Sequence, residues 1–312
     1  MKKIGTVNKT REILEKNGFM MKKKFGQNFL IDQNILSSIV SKAEINKNVN
    51  VIEIGPGIGS LTEYLLENAN KVISYEIDNS LIPILTEQFS SYDNFTLINQ
   101  DILKANIKED IKKYFNDNLP VYVVANLPYY ITTPIIMHLL ENVPEIKKYA
   151  VMVQLEVADR IVANKGGKDY NNLSIAINYR AKTYKAINVS RNVFMPKPNV
   201  DSAVVIFDIY EEKPYKVNDE KFFLELIRKA FANRRKTLVN NLNQGYNLSN
   251  LAIPIVWKAL SRFHIPPKEG LVGSPSSGAI EGERARYGAQ SVPSVWGAMF
   301  CRRMREAFSR MP

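Results

Sequence analysis

The chain of 312 residues is poor in the side chains that bind metals or form disulfides. It has one cysteine, Cys301, and two histidines, His138 and His264. A single cysteine excludes an intramolecular disulfide framework and a cysteine-based metal cluster, and two histidines leave little for a histidine-rich site. We therefore expect no metal centre. The scarcity of cysteine is typical of a reducing compartment.

Long apolar runs are also missing. No segment approaches the roughly 20 apolar residues that a membrane span needs, and the charged amino terminus is not followed by an apolar run. The sequence therefore predicts a soluble, cytoplasmic protein without a membrane partner. Its hydrophobic content of 45% is enough for a buried core and excludes disorder over most of the chain.

The charge is unevenly distributed. Basic residues outnumber acidic ones by 42 to 31, and the net charge of +11 favours polyanionic partners. Residues 1–268 contain every lysine and carry a net charge of +9, whereas residues 269–312 contain six arginines but neither lysine nor asparagine. This shift in usage indicates either a foreign or frame-shifted segment or a natural flexible tail over residues 269–312.

Short apolar runs rich in β-branched residues alternate with longer segments of helical spacing. Six runs are candidate strands: 51–54, 72–75, 95–98, 121–125, 150–154 and 203–209. Strand–helix units of this kind predict an α/β fold with a doubly wound parallel sheet. Helical spacing also covers residues 31–40, where Asp32 could cap the helix, and residues 219–231.

A charged, proline-containing break at Glu211–Pro214 indicates a domain boundary. We predict four parts in chain order: an amino-terminal extension (1–20), an α/β domain (21–213), a small helical domain (214–268) and the tail (269–312).

A glycine-rich loop follows the first candidate strand. Gly55, Gly57 and Gly59 let the backbone turn tightly and approach a ligand, and Glu76 closes the next strand, where its carboxylate can accept hydrogen bonds from both ribose hydroxyls. The G-x-G-x-G spacing departs from the dinucleotide fingerprint, so S-adenosylmethionine fits better than a nicotinamide cofactor. Asp101, after the third strand, could accept a hydrogen bond from the adenine amino group or could simply cap a helix.

The fourth candidate strand ends in Asn126-Leu127-Pro128-Tyr129-Tyr130, at the sheet edge where ligands bind. The exocyclic amine of adenine is a weak nucleophile because its lone pair is delocalised. The side-chain carbonyl of Asn126 and the main-chain carbonyl of Leu127, in a turn fixed by Pro128, could hold the amine hydrogens, while the base stacks on Tyr129. The pattern favours methyl transfer to adenine over a merely structural strand end.

Five motifs together resemble those of the small-subunit ribosomal RNA adenine dimethyltransferases, in that family's order: Lys24–Leu30, Glu53–Gly57, Asn126–Tyr130, Phe194–Ala203 and Arg234–Leu238. The resemblance implies a class I, Rossmann-like methyltransferase sheet of seven strands with the last antiparallel, in an adenosylmethionine-binding catalytic domain, and a small helical carboxyl-terminal domain. It also implies methylation of N6 in two adjacent adenosines of a hairpin near the 3′ end of 16S rRNA.

By motif position, the resemblance implies cofactor contacts at Asn28, Leu30, Gly55, Gly57, Glu76, Asp101 and Asn126. It also makes Phe194 a second aromatic wall opposite Tyr129, so that a flipped adenine lies between two rings. The alternative for Phe194 is a core aromatic residue that anchors a proline-rich segment.

Two basic segments are expected to contact RNA phosphates: Lys22, Lys23 and Lys24, and then Arg234, Arg235 and Lys236. Solvated surfaces are the alternative for both. The resemblance implies that the partner is small-subunit rRNA within an immature 30S particle and that the enzyme is a monomer. The helix that usually follows the stretch matching His264–Pro267 is missing, so we expect an incomplete helical domain.

Two other functions stay open. Large-subunit rRNA adenine methyltransferases that confer macrolide resistance share the glycine loop and a related Asn-Leu/Ile-Pro-Tyr motif, although Phe194–Ala203 and Arg234–Leu238 favour the small-subunit enzymes. Alternatively, the chain could act mainly as an RNA-binding assembly factor of the small subunit, with methylation secondary.

Overall fold

The computed structural model describes residues 3–19, 26–163, 169–214, 217, 219–233, 236 and 238–246. The chain divides into two compact units, the first formed by Met1–Val162 and Arg180–Glu211 and the second by Ala163–Tyr179 and Glu212–Pro312. The chain thus crosses between the units three times, not only near Pro214. The tail that we predict over residues 269–312 lies outside the described residues.

The strands in chain order are β1 (Phe29–Leu30), β2 (Asn50–Ile54), β3 (Val72–Glu76), β4 (Phe95–Asn99), β5 (Val121–Asn126), β6 (Ile146–Gln154), β7 (Ala181–Val189), β8 (Phe194–Met195) and β9 (Ser202–Ile209). The helices are α1 (Val7–Lys16), α2 (Gln33–Lys42), α3 (Ser60–Asn68), α4 (Ile82–Phe89), α5 (Ile107–Tyr114), α6 (Thr132–Asn142), α7 (Leu155–Ile161), α8 (Asn172–Asn178), α9 (Glu220–Ala230) and α10 (Leu238–Tyr246).

Seven of the strands form one sheet in the order β4-β3-β2-β5-β6-β9-β7. Strands β2 to β6 pair in parallel, and β9 is antiparallel to both of its neighbours. The six predicted strands are all present, and the predicted α/β fold with its antiparallel last strand is confirmed. Strand β7 is an addition: it lies at the sheet edge, and its half-exposed residues lack the apolar run that marks the central strands.

The centre of the sheet is the core of the first unit. Every residue of β2 and β3 is buried, which requires that helices cover both faces of the sheet. Because the chain passes from β2 outward to β4 and then returns to β5, the strand order reverses between β2 and β5. A crevice is expected at the carboxyl ends of the strands beside such a reversal.

The amino-terminal extension contains helix α1, which the sequence did not predict. Thr6 caps this helix by accepting a hydrogen bond from the backbone N–H of Lys9, and Ile4 and Ile13 are buried in the main hydrophobic cluster. Lys16 pairs with Glu87 at 2.7 Å. Leu14 and Phe19, both partly buried, pack against the same hydrophobic cluster. Apolar side chains are nevertheless sparse in this segment, so it shows no recognisable helical pattern.

The second unit is helical where the structure describes it. Asp219 caps α9, whose buried face carries Phe222, Phe223, Leu226, Ile227 and Ala230, as the sequence predicts. Asn241 of α10 donates hydrogen bonds to the carbonyl oxygens of Ala230 and Asn233, each at 3.0 Å.

None of the helices in the described ranges is long and apolar enough to span a membrane. The same residues contain no group of three or more His, Cys, Asp or Glu side chains arranged for a metal ion.

A carboxyl group is buried inside the central sheet. Glu53 of β2 is 1% exposed, and its Oε2 accepts hydrogen bonds from the hydroxyls of Thr62 at 2.8 Å and Ser74 at 2.6 Å. Loss of hydration outweighs these two bonds and raises the pKa of Glu53 to about 7. The protonated form is therefore the more stable one in the folded protein below neutral pH.

The substitution Glu53→Gln should remove a pH dependence of stability. The folded pKa lies above the unfolded value, so the stabilisation present below about pH 4.5 is lost as the pH rises through 7. The uncharged amide oxygen of glutamine can accept the same two hydrogen bonds from the hydroxyls. We expect the stability of Glu53→Gln relative to the parent protein to rise by about 2 kcal/mol between pH 5 and pH 8.

Urea unfolding at several pH values measures this difference. The control is Glu141→Gln, the same substitution at an exposed carboxylate of α6. A difference between Glu53→Gln and the parent protein that does not vary with pH would contradict the raised pKa.

Candidate functional site

A cavity opens at the carboxyl ends of the parallel strands, beside the reversal of strand order. Its lining comes from five chain segments: 26–30, 53–61, 75–81, 100–102 and 126–135. Four of these segments follow or end strands β2, β3, β4 and β5, and the fifth contains β1. Sheet geometry therefore gathers residues that are up to about a hundred positions apart in the chain.

Ten of the predicted site residues line this cavity: Asn28, Leu30, Gly55, Gly57, Glu76, Asp101, Asn126, Leu127, Pro128 and Tyr129. The predicted cofactor contacts and the predicted methyl-transfer motif thus share one site. Asp101 accepts a hydrogen bond from the backbone N–H of Leu103 at 3.0 Å. Residues 102–104 form a turn and the next helix, α5, begins at Ile107, so Asp101 stabilises a turn and is not the helix cap that we considered as its alternative.

The glycine loop needs backbone conformations that other residues rarely adopt. Gly55 and Gly57 have φ angles of 68° and 60°. No atom lies within 4 Å of the position that a Cβ of Gly55 would occupy, whereas a Cβ at Gly57 would lie 3.1 Å from the ring of Phe29. The loop therefore leaves open space beside Gly55 and packs closely against the 26–30 segment at Gly57.

Glu76 ends β3 with its carboxylate largely withdrawn from water. The residue is 5% exposed and accepts hydrogen bonds from the backbone N–H groups of Gly57 at 3.3 Å and Asp78 at 2.8 Å. Burial raises the pKa of this carboxyl above its usual value. A buried carboxylate gains most from additional hydrogen-bond donors, such as the hydroxyls of a ribose.

Ser60 also contributes a polar group to the cavity wall, and the hydroxyl of this residue has no hydrogen-bond partner within the described part of the chain. The Oγ atom of Ser60, at the start of α3, is buried and makes no hydrogen bond with any described residue. Buried polar atoms normally find a partner in a protein, water or a ligand. The open space at Gly55, the carboxylate of Glu76 and the hydroxyl of Ser60 therefore fit a polar ligand such as S-adenosylmethionine.

The segment 26–30 is held against the strand ends by side chains. Gln27 donates from Nε2 to Oδ2 of Asp78 at 2.9 Å, and Asn126 donates from Nδ2 to the carbonyl oxygen of Asn28 at 3.1 Å. Asp78 is 1% exposed. The sequence did not single out Gln27 or Asp78, because nothing local indicates that residues this far apart in the chain meet.

Asn126 lies at the end of β5 with its amide orientation defined by its partner. Because Nδ2 donates to Asn28, Oδ1 is left to accept a hydrogen bond from another group. The turn that follows is closed by the carbonyl oxygen of Pro128, which accepts hydrogen bonds from Ile131 N at 3.2 Å and Thr132 Oγ1 at 3.0 Å. An acceptor and a rigid turn thus stand together at the cavity.

Tyr129 follows this turn and is half-buried at the cavity wall. Its hydroxyl lies 2.9 Å from Oγ of Ser202, the first residue of β9. Burial raises the pKa of Tyr129, so the ring is neutral at physiological pH. Ser202 belongs to one of the motifs that we recognised, but its sequence position alone gave it no separate role.

Phe194 is not part of the cavity wall. Its side chain is 3% exposed within the main hydrophobic cluster, and its strand β8 pairs with β1 so that Phe194 faces Leu30. Phe194 is therefore not among the residues that line the cavity opposite Tyr129, and the ring sandwich stays a prediction. The placement agrees with the alternative, a core aromatic residue that anchors the proline-rich segment.

Most of the predicted RNA-contacting residues lie outside the described part of the chain: Lys22, Lys23, Lys24, Arg234 and Arg235. Lys236 is described; it is exposed, and its Nζ donates to Oε1 of Gln244 at 2.9 Å. RNA contact by these residues stays a prediction.

Curated relatives match most of the chain. Those named "Ribosomal RNA small subunit methyltransferase A" include one from Lactococcus lactis, 50% identical over 265 residues (85% of this chain and 90% of the relative). Another, from Streptococcus gordonii, is 52% identical over 263 residues (84% and 91%).

Two solved structures resemble the fold closely enough to compare. A dimethyladenosine transferase from Plasmodium falciparum is 28% identical with a TM-score of 0.58, covering 78% of this chain and 84% of the other. The 23S rRNA methyltransferase ErmE is 27% identical with a TM-score of 0.59, covering 78% and 92%. Both share the Rossmann-like methyltransferase fold.

A family model described as "Ribosomal RNA adenine dimethylase" matches residues 18–255. This span contains the whole seven-stranded sheet and all five segments of the cavity. Together with relatives at about half identity over most of their length, it shows that the chain belongs to the ribosomal RNA adenine dimethylase family.

Proposed function

We propose that the chain transfers methyl groups from S-adenosylmethionine to N6 of two adjacent adenosines near the 3′ end of small-subunit (16S) rRNA. The observation that carries this proposal is the side chain of Asn126, held by Asn28 at the edge of the cavity with its oxygen available to an incoming amine. The names of the curated relatives support the small-subunit substrate.

Residues at the ends of β2, β3 and β4 would hold the cofactor. The backbone at Gly55 leaves room for a close approach, and Glu76 and Asp101 line the same cavity. Glu76 would accept hydrogen bonds from the ribose hydroxyls and Asp101 would accept one from the adenine amine. When bound, S-adenosylmethionine supplies an electrophilic methyl group on a sulfonium.

Residues after β5 would activate the target amine. Oδ1 of Asn126 and the main-chain carbonyl of Leu127 accept its hydrogens and favour a pyramidal nitrogen whose lone pair is available for attack. Tyr129 provides a face on which the flipped base stacks. No strong base is needed, because the ammonium cation formed when the nitrogen accepts the methyl group is acidic and loses its proton readily to water. The rate enhancement then comes from the orientation of the amine towards the methyl group and from fixed dipoles around the reacting atoms.

The substrate class rests on the relatives rather than on the fold. A 23S rRNA methyltransferase and a dimethyladenosine transferase match the structure about equally well, so the fold is compatible with either ribosomal subunit. Relatives at about 50% identity favour the small subunit. We further propose that the substrate is an immature 30S particle and that the enzyme acts in the cytoplasm. We also propose that the enzyme acts as a monomer.

Glu76→Ala should weaken binding of S-adenosylmethionine about 10- to 100-fold, the usual effect of losing hydrogen bonds to a charged group. Isothermal titration calorimetry measures the affinity. The matched control is Asp93→Ala, which removes an exposed carboxylate outside the cavity and should bind like the parent protein. Unchanged affinity in Glu76→Ala would mean that Glu76 does not hold the cofactor.

Asn126→Ala should reduce methyl transfer about 100- to 1000-fold, as expected when an electrostatic contact to the reacting group is lost, while RNA binding is retained. Initial rates with labelled S-adenosylmethionine and a filter-binding assay separate the two effects. Asn142→Ala, on the exposed end of α6, serves as the control. Undiminished turnover by Asn126→Ala would exclude the proposed activation of the amine.

The substrate itself is tested with undermethylated small subunits and, separately, large-subunit RNA. Each is incubated with the purified protein and labelled S-adenosylmethionine and then digested for nucleoside analysis. We expect dimethyladenosine in small-subunit RNA only. Dimethyladenosine confined to large-subunit RNA would overturn the substrate assignment, and tight binding without methylation would instead indicate an assembly factor.

A further inference from the structure

Ser202 and Tyr129 make a hydrogen bond that joins two distant parts of the sheet. The two hydroxyl oxygens are 2.9 Å apart, although the residues are 73 positions apart in the chain. Tyr129 belongs to the turn after β5, and Ser202 begins β9, which lies two strands away across β6. The two residues belong to different sequence motifs, so the folding of the sheet is what brings them into contact.

Ser202 is fixed more firmly than the tyrosine that it contacts. The residue is 1% exposed and pairs with Gln154 of β6 and Val189 of β7, so both neighbouring strands define its position. The preceding residue, Asp201, is also fixed: its carbonyl oxygen accepts a hydrogen bond from Leu155 N at 3.0 Å, and its carboxylate accepts one from Arg191 N at 2.9 Å.

Tyr129 is held less firmly than Ser202. It lies in a turn, is only half-buried and lines the cavity. A ring in such a place can rotate about its side-chain bonds unless its far end is held. The hydroxyl of Tyr129 is at that far end, and Ser202 holds it.

We propose that Ser202 is a positioning residue for methyl transfer: it holds the ring of Tyr129 in the orientation on which the target adenine stacks. This proposal rests on the proposed function and adds a residue to it. Ser202 does not line the cavity, and it acts through Tyr129 alone. Its contribution should appear in the rate of transfer, since misplacing a reacting group by about 1 Å can cost up to 100-fold.

A double-mutant cycle tests the proposal. Ser202→Ala and Tyr129→Phe each remove the hydrogen bond, and each should lower kcat about 10-fold on undermethylated small subunits. The double variant should be no slower than either single variant, because the same interaction is lost in all three. The affinity for S-adenosylmethionine should stay within about twofold of the parent value, since the hydrogen bond lies on the substrate side of the cavity.

Two further variants separate positioning from general damage. Tyr122→Phe removes a tyrosine hydroxyl near the other end of β5, outside the cavity lining, and should leave kcat unchanged. Ser202→Thr retains a hydroxyl and should recover most of the activity that Ser202→Ala loses. Thermal unfolding of every variant shows whether a lower rate reflects a less stable protein.

The outcomes distinguish this inference from the function on which it rests. Losses that add in the double variant, or a Tyr129→Phe variant as fast as the parent, would overturn the positioning role while the parent protein still methylates adenosine. Absence of dimethyladenosine with the parent protein would instead overturn the proposed function. If Ser202→Ala does not fold, the rate of Tyr129→Phe alone decides the matter.

Discussion

Parallel pairing of β2, β3, β4 and β5 is the constraint on which the site depends. Strands that run in the same direction bring their carboxyl ends to one edge of the sheet. Gly55, Glu76, Asp101 and Asn126 each lie at or just after the end of one of these strands. Four residues spread over 72 positions of the chain become neighbours through this single geometric rule.

The sheet edge by itself is an open groove, and the segment 26–30 completes it. This segment precedes the sheet in the chain, yet it contacts three of the strand ends: Gln27 reaches Asp78, Asn28 accepts a hydrogen bond from Asn126, and the ring of Phe29 lies against Gly57. The sites that we propose for the cofactor and for the target base therefore share this segment as one wall. The bond between Asn28 and Asn126 links the side of the cavity proposed for the cofactor to the amide proposed for catalysis.

Much of this arrangement could be predicted from the sequence, because buried parallel strands are continuous β-branched runs and the residues that follow them face the ligand crevice. That is how Gly55, Glu76, Asp101 and Asn126 are found. Helix α1 and the edge strand β7 are missed since their apolar patterns are weak.

Contacts between distant side chains could not be predicted. The bond from Gln27 to Asp78 spans 51 positions and that between Tyr129 and Ser202 spans 73, and each depends on how loops pack. Phe194 shows the converse: motif order places it near the site, but strand pairing with β1 turns its ring into the core.

Hydrogen–deuterium exchange with and without S-adenosylmethionine tests most directly whether the four segments proposed to hold the cofactor form one site. We expect the backbone amides of 26–30, 55–59, 76–78 and 101–103 to exchange more slowly together as the cofactor concentration rises, with one common affinity. Slower exchange at the glycine loop without any change in 26–30 or 76–78 would contradict a single shared cavity.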